Sequence, residues 1–270
     1  MNRRVACGLV SMLMACSTAE RKLTADARDG SPSVDASGGG NTDAPTDGAA
    51  GSTDAAASTT CGNGVMNNGE ACDDNNAASN DGCSSTCALE ATQAVTVTAL
   101  NMTVTDDGYT GSLASMTCAN VAVTAWYTPT IAGTTITFGM DHAWVGDLTI
   151  KAVAPDNTVV TLASRPGLVE AGDNGTSPGG FGANALLAKA YPITFDTGAA
   201  TSAEQMGANG GTVCQSNNIC TFAPNAGSAT AGTLAAFTGK PSTGAWKLCV
   251  GDGTSGDTGK IDRVTFTFAH

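Results

Sequence analysis

The chain has 270 residues, with 24 Asp and Glu against 12 Lys and Arg, a formal net charge of −12 and an isoelectric point near 4.3. Such a charge excludes nucleic acid and anionic lipid surfaces as electrostatic partners and suits a surface that takes cations. Aromatic residues make up 5% and charged residues 13%, which excludes long Lys/Glu-rich amphipathic helices and favours short strands between turns.

Arg3 and Arg4 precede an apolar run over residues 5–15. A basic head, a short apolar core and a small-residue end describe a secretory signal rather than a membrane span. No later apolar run approaches about 18 residues, so no transmembrane helix is expected. The ending Leu13-Met14-Ala15-Cys16 resembles the bacterial lipobox. The resemblance implies removal of residues 1–15, diacylglycerol on Cys16 and a lipid anchor in a membrane. Ser17 follows Cys16, and similarity to Gram-negative sorting signals then implies the outer membrane and the cell surface. Residues 16–60 are Ser, Thr, Ala, Gly and Asp with hardly a large apolar side chain after Leu23. They cannot bury enough surface to offset their ordering entropy and read as a disordered tether, with a span of roughly 35–40 Å.

Ten cysteines fit an exported chain. Cys7 leaves with the signal and Cys16 carries lipid; the other eight read as four disulfides. Residues 61–90 hold Cys61, Cys72, Cys83 and Cys87 among turn-forming residues, with Val65 and Met66 almost the whole apolar bulk up to Cys87. Cross-links must hold such a segment, because it has no core to do so. Four cysteines allow three pairings, and spacing does not choose among them. The spacing C-G-N-G-x4-G-E-x-C-D-D-x-N followed by D-G-C-S-x2-C resembles the cysteine-rich repeat of myxobacterial surface proteins. Asn75 stands where that pattern carries Gly.

Residues 92–270 alternate short β-prone runs with Gly, Pro, Asn and Asp. Strands are expected at 94–100, 121–127, 134–139, 147–153, 159–163, 193–196, 245–250 and 263–268. Trp246, Leu248 and Val250 share one side of their run, as do Val264, Phe266 and Phe268 of theirs, with Thr265 and Thr267 opposite. A period of two with one apolar face describes strands whose other face meets solvent. The expected fold is all-β, an antiparallel sandwich or jelly roll.

Two stretches of this region are similar to the P domain, or P/Homo B domain, of proprotein convertases and bacterial subtilases. The pattern H-x3-G-D-L is met by His142, Gly146, Asp147 and Leu148, and the next strand pair by Pro155, Val160 and Leu162. Phe237, Gly239, Gly244, Trp246, Leu248, Val250, Asp252, Asp257 and Gly259 meet F-x-G-x4-G-x-W-x-L-x-V-x-D and D-x-G. Asn157 replaces a usual Gly, a change that a left-handed turn position tolerates. Residues 199–231 match least and read as an insertion closed by Cys214 and Cys220. The resemblance implies a jelly-roll β-sandwich that stabilises a neighbouring protease domain without being the catalyst. Within such a sandwich the disulfides are expected as Cys118–Cys249, tying neighbouring strands, and Cys214–Cys220, pinning a short loop.

A serine-protease triad needs a nucleophile, a histidine base and an orienting carboxylate in contact. The chain has two histidines. His270 is the last residue, and His142 is expected to be structural, at a strand end. Gly175-Thr176-Ser177 is similar to a subtilase nucleophile motif but lacks its histidine partner motif. Cys83-x3-Cys87 lacks the histidines of a zinc site. Calcium is the cofactor to expect, because hard cations take Asp, Asn and carbonyl oxygens on tight loops. The candidate ligands are Asp141, Asp147, Asp252 and Asp257 in the P-like part, and Asp73, Asp74 and Asp81 in the cysteine-rich part; turn capping by the same side chains is the competing reading. The expected function is a non-catalytic, lipid-anchored surface protein of adhesion type, presenting its sandwich to a surface protein or glycan. The alternative is an accessory subunit that docks and stabilises a separately encoded subtilisin-like protease.

Overall fold

Alternation of buried and exposed side chains organises the chain into two β-sheets. The computed structural model describes residues 61–124, 130–168, 182–225 and 233–270. The signal, Cys16, the tether, the end of the strand expected at 121–127 and Gly175-Thr176-Ser177 lie outside the described residues. The strands are β1 (Asp81–Cys83), β2 (Leu89–Val97), β3 (Met102–Val104), β4 (Thr117–Val123), β5 (Gly133–His142), β6 (Leu148–Val153), β7 (Val159–Ser164), β8 (Ile193–Phe195), β9 (Thr221–Phe222), β10 (Gly244–Asp252) and β11 (Gly259–Ala269). One sheet runs β1-β2-β11-β5-β8-β9, with β3 also on β11; the other runs β4-β10-β6-β7. All pairings are antiparallel except β8 with β9. This is an all-β sandwich of jelly-roll type with a small disulfide-rich module attached. Among the described residues no helix is long and apolar enough to cross a membrane.

Trp246 holds the two layers together. It projects from β10 onto Phe266 and Phe268 of β11, at ring centroid distances of 5.4 and 4.8 Å, and Phe237 meets it edge-on at 5.0 Å. Its indole N–H donates to the Ser242 carbonyl at 2.6 Å, so the buried ring leaves no donor unpaired. Burying one large aromatic side chain contributes about 1.5–3 kcal/mol.

β6 departs from the one-sided pattern, since every residue from Leu148 to Val153 is buried. The turn after β3 lays Tyr109 over the outer face of this sheet. The Lys151 ammonium sits 5.7 Å from the Tyr109 ring centre, and a Cβ on Gly251 would meet that ring at 2.7 Å. The segment 199–225 is also more than a loop: Met206, Val213 and Phe222 join the main core.

The disulfides pair Cys61 with Cys87, Cys72 with Cys83, Cys118 with Cys249 and Cys214 with Cys220. Cys118 and Cys249 are directly opposite in the β4–β10 register. The cysteine-rich module continues into the sandwich through β1, which pairs with β2.

Candidate functional site

β5 ends at His142, β10 ends at Asp252 and β11 begins at Gly259, so three strand ends meet at one end of the sandwich. His142 Nε2 lies 3.1 Å from Asp252 Oδ2, both side chains are fully buried, and the contact joins the two sheets. His142 Nδ1 accepts from the Trp144 N–H at 3.1 Å. The Nε2-protonated tautomer satisfies the contacts to Asp252 and to the Trp144 N–H and leaves Nδ1 facing the Trp144 carbonyl oxygen at 3.0 Å. Asp252 Oδ1 accepts from the Thr254 N–H at 3.0 Å. Gly259 leaves the room this seam needs: a Cβ there would lie 2.3 Å from His142 Cδ2 and 2.5 Å from the Asp141 carbonyl oxygen.

Beside the seam, a short 3-10 turn, Val145–Asp147, carries Asp147. Gly146 lets this turn press on the backbone of Gly182, where a Cβ would sit 2.4 Å away. Asp147 is 2% exposed, and its Oδ1 has no hydrogen-bond partner among the described residues. Burial pushes its pKa up to about 6, helped by the Asp252 and Asp257 charges and opposed by Thr254 and the Arg165 guanidinium. Arg165 is itself buried and reaches Thr254 Oγ1 with Nη2 at 3.1 Å. Trp144, Asp147, Thr254, Ser255 and Asp257 line a pocket of about 150 Å³.

The four acids expected in the P-like part therefore divide. Asp147 and Asp257 share the pocket, Asp252 lies behind it with both oxygens engaged, and Asp141 is exposed with Oδ1 accepting from the Lys189 N–H at 2.9 Å. In the cysteine-rich module, Asp73 accepts backbone N–H groups from Gly62, Asn63, Gly64 and Asn75 at 2.8–3.1 Å. Desolvation raises its pKa, but these four donors outweigh it and hold the carboxyl below the usual range. Such a ring of donors favours an anion, so Asp73 serves as the knot of its loop. Asp74 and Asp81 are paired side chain to side chain; burial first, then the Asp81 charge, raises Asp74. They line a pocket of about 230 Å³ with Asn76, Gln93 and Thr96.

Sequence reasoning did not single out Arg165 or Thr254. Arg165 adopts a positive φ of 43° directly before Pro166, and neither residue carries a local signal that places it against Asp147.

No family model matches the chain, and no curated protein matches it. Among solved structures it is similar to the serine protease of Aeromonas sobria, at 14% identity and a TM-score of 0.31, covering 66% of this chain and 26% of that chain. It is also similar to the complex of the Aeromonas sobria serine protease and the chaperone, at 15% identity and a TM-score of 0.32, with the same coverage of 66% and 26%.

Proposed function

We propose that this chain is a non-catalytic accessory module that docks on a separately encoded subtilisin-like serine protease and stabilises it. The observation that carries the reading is the state of His142. Its ring is fully buried and both nitrogens are engaged, by Asp252 and by Trp144, so it acts as a pin between sheets and not as a base open to substrate. The other histidine, His270, is half-buried just past the end of β11, with Nδ1 3.4 Å from the Thr130 carbonyl oxygen. The residues that carry the P-domain resemblance support the same role. Leu148, Trp246, Leu248 and Val250 fill the core, and Gly259 gives His142 its space. A lipid on Cys16 would hold the module at the outer membrane, within reach of an exported protease. The adhesion reading gains no support from the described residues.

The test is affinity purification of the tagged chain from envelope extracts, followed by inactivation kinetics of any protease recovered. Recovery of one subtilisin-like protease in fixed ratio, with a longer half-life at elevated temperature when the chain is present, is the expected result. Recovery of glycan, or of a varied protein set with no protease in fixed ratio, overturns the proposal.

A further inference from the structure

We propose that the pocket between the Val145–Asp147 turn and the β10–β11 loop is a calcium site, with Asp147 Oδ1 and Asp257 as its charged ligands. Three observations carry this. The first is the orphaned oxygen. Asp147 is 2% exposed, lines the pocket, and has Oδ1 without a donor among the described residues. A buried carboxylate oxygen that accepts no hydrogen bond is costly, and a bound cation removes that cost.

The second is the chemistry of the lining. Asp147, Asp257, Thr254 and Ser255 line one pocket and carry two carboxylates and two hydroxyls, of which the Thr254 hydroxyl also accepts from Arg165. Hard divalent cations take such sets, and calcium accepts the irregular geometry and retained waters that a pocket of about 150 Å³ allows. Magnesium demands a stricter octahedron.

The third is charge. The Asp252 and Asp257 charges act on the Asp147 carboxylate, and the Arg165 guanidinium opposes them there. Three negative groups against one guanidinium leave two negative charges, which a divalent ion neutralises. Asp252 is held by His142 and the Thr254 N–H, so it supplies field and not a coordination bond. The ion would tie the turn that follows β5 to the loop that joins β10 and β11, which lie in opposite sheets.

The experiment is calorimetric titration and thermal unfolding of the purified full chain, stripped with EDTA, at pH 7. Calcium should bind near one equivalent at this pocket and raise Tm by about 5 °C at saturation, with magnesium at least tenfold weaker. Asp257→Asn, at a half-buried position, should weaken the affinity at least tenfold; Asp147→Asn should do the same if that variant folds. Asp81→Asn should keep the full shift. No heat and no shift with the wild-type chain overturns the proposal, because water then satisfies Asp147. An undiminished shift in Asp257→Asn, or a loss confined to Asp81→Asn, overturns it too and moves the ion elsewhere.

Discussion

Replacing Gly259 by Ala adds one methyl group where the structure has no space for it. The Cβ would stand 2.3 Å from His142 Cδ2 and 2.5 Å from the Asp141 backbone oxygen, about 1 Å inside ordinary contact distances of about 3.5 Å. The ring cannot swing aside cheaply, because Asp252 and Trp144 hold its two nitrogens. Moving it breaks a buried imidazole–carboxylate bond, and separating a buried pair costs about 3–5 kcal/mol. Moving β11 instead disturbs its pairing with both β5 and β3 at this residue, and overpacking of this kind costs about 1–3 kcal/mol. The cheaper route sets the loss, so Gly259→Ala should lose about 1–3 kcal/mol in urea unfolding, with m unchanged. The decisive measurement is a double-mutant cycle with His142→Ala. Removing the ring leaves Asp252 unpaired but vacates the space, so the second substitution should cost less in that background. A coupling of at least about 1 kcal/mol is expected; the clash with the Asp141 oxygen keeps it from being complete. A loss under about 1 kcal/mol for Gly259→Ala alone, or strict additivity with His142→Ala, would show that the strand ends are not packed as described.

Asp147 gives the pH dependence. Its folded pKa of about 6 lies above the ordinary value of 3.8, so between these values the folded chain binds more protons than the unfolded one. Stability in EDTA should fall as pH rises from about 4 to about 6, by about 1–3 kcal/mol, and Asp147→Asn should flatten that slope; a slope that survives the substitution refutes the assignment. Opening Cys118–Cys249, which closes 131 residues, should cost about 5 kcal/mol, and opening Cys214–Cys220, which closes 6, about 2 kcal/mol on the chain-entropy account. Equal losses in Tm for the two Cys→Ala double variants would count against that ordering. Asn157 sits at a φ of +66°, so Asn157→Ala should cost about 1 kcal/mol in chemical unfolding while Asn157→Gly stays near neutral; a neutral Ala variant would contradict the turn geometry.

Much of the fold was legible in alternation. The runs around Trp246 and Phe266 are β10 and β11, and their apolar sides do face one another across the core. Strand ends were less legible. β5 continues through Met140 to His142 and β11 begins at Gly259, because pairing with a neighbour and not local pattern sets those limits. β1, β3 and β9 were missed, since two or three residues carry no period and exist as strands only through their partners. Asn75 and Asn157, standing where their patterns carry glycine, both adopt a φ of +66°, the left-handed state that Asn tolerates better than most side chains.

The sequence by itself determined the two-layer β architecture, because a period of two written in Val, Ile, Phe and Trp admits few other burial schemes. It also marked Asn157 as a position that bends backward, since Asn tolerates the left-handed state, whereas Arg165 bends backward with no such mark. Only the tertiary structure decided which acids meet. Asp147 and Asp257 are far apart in the chain and share a pocket, whereas Asp141 and His142 are adjacent and face different surroundings. Charge proximity is a property of strand register and loop packing, and neither is written in local spacing.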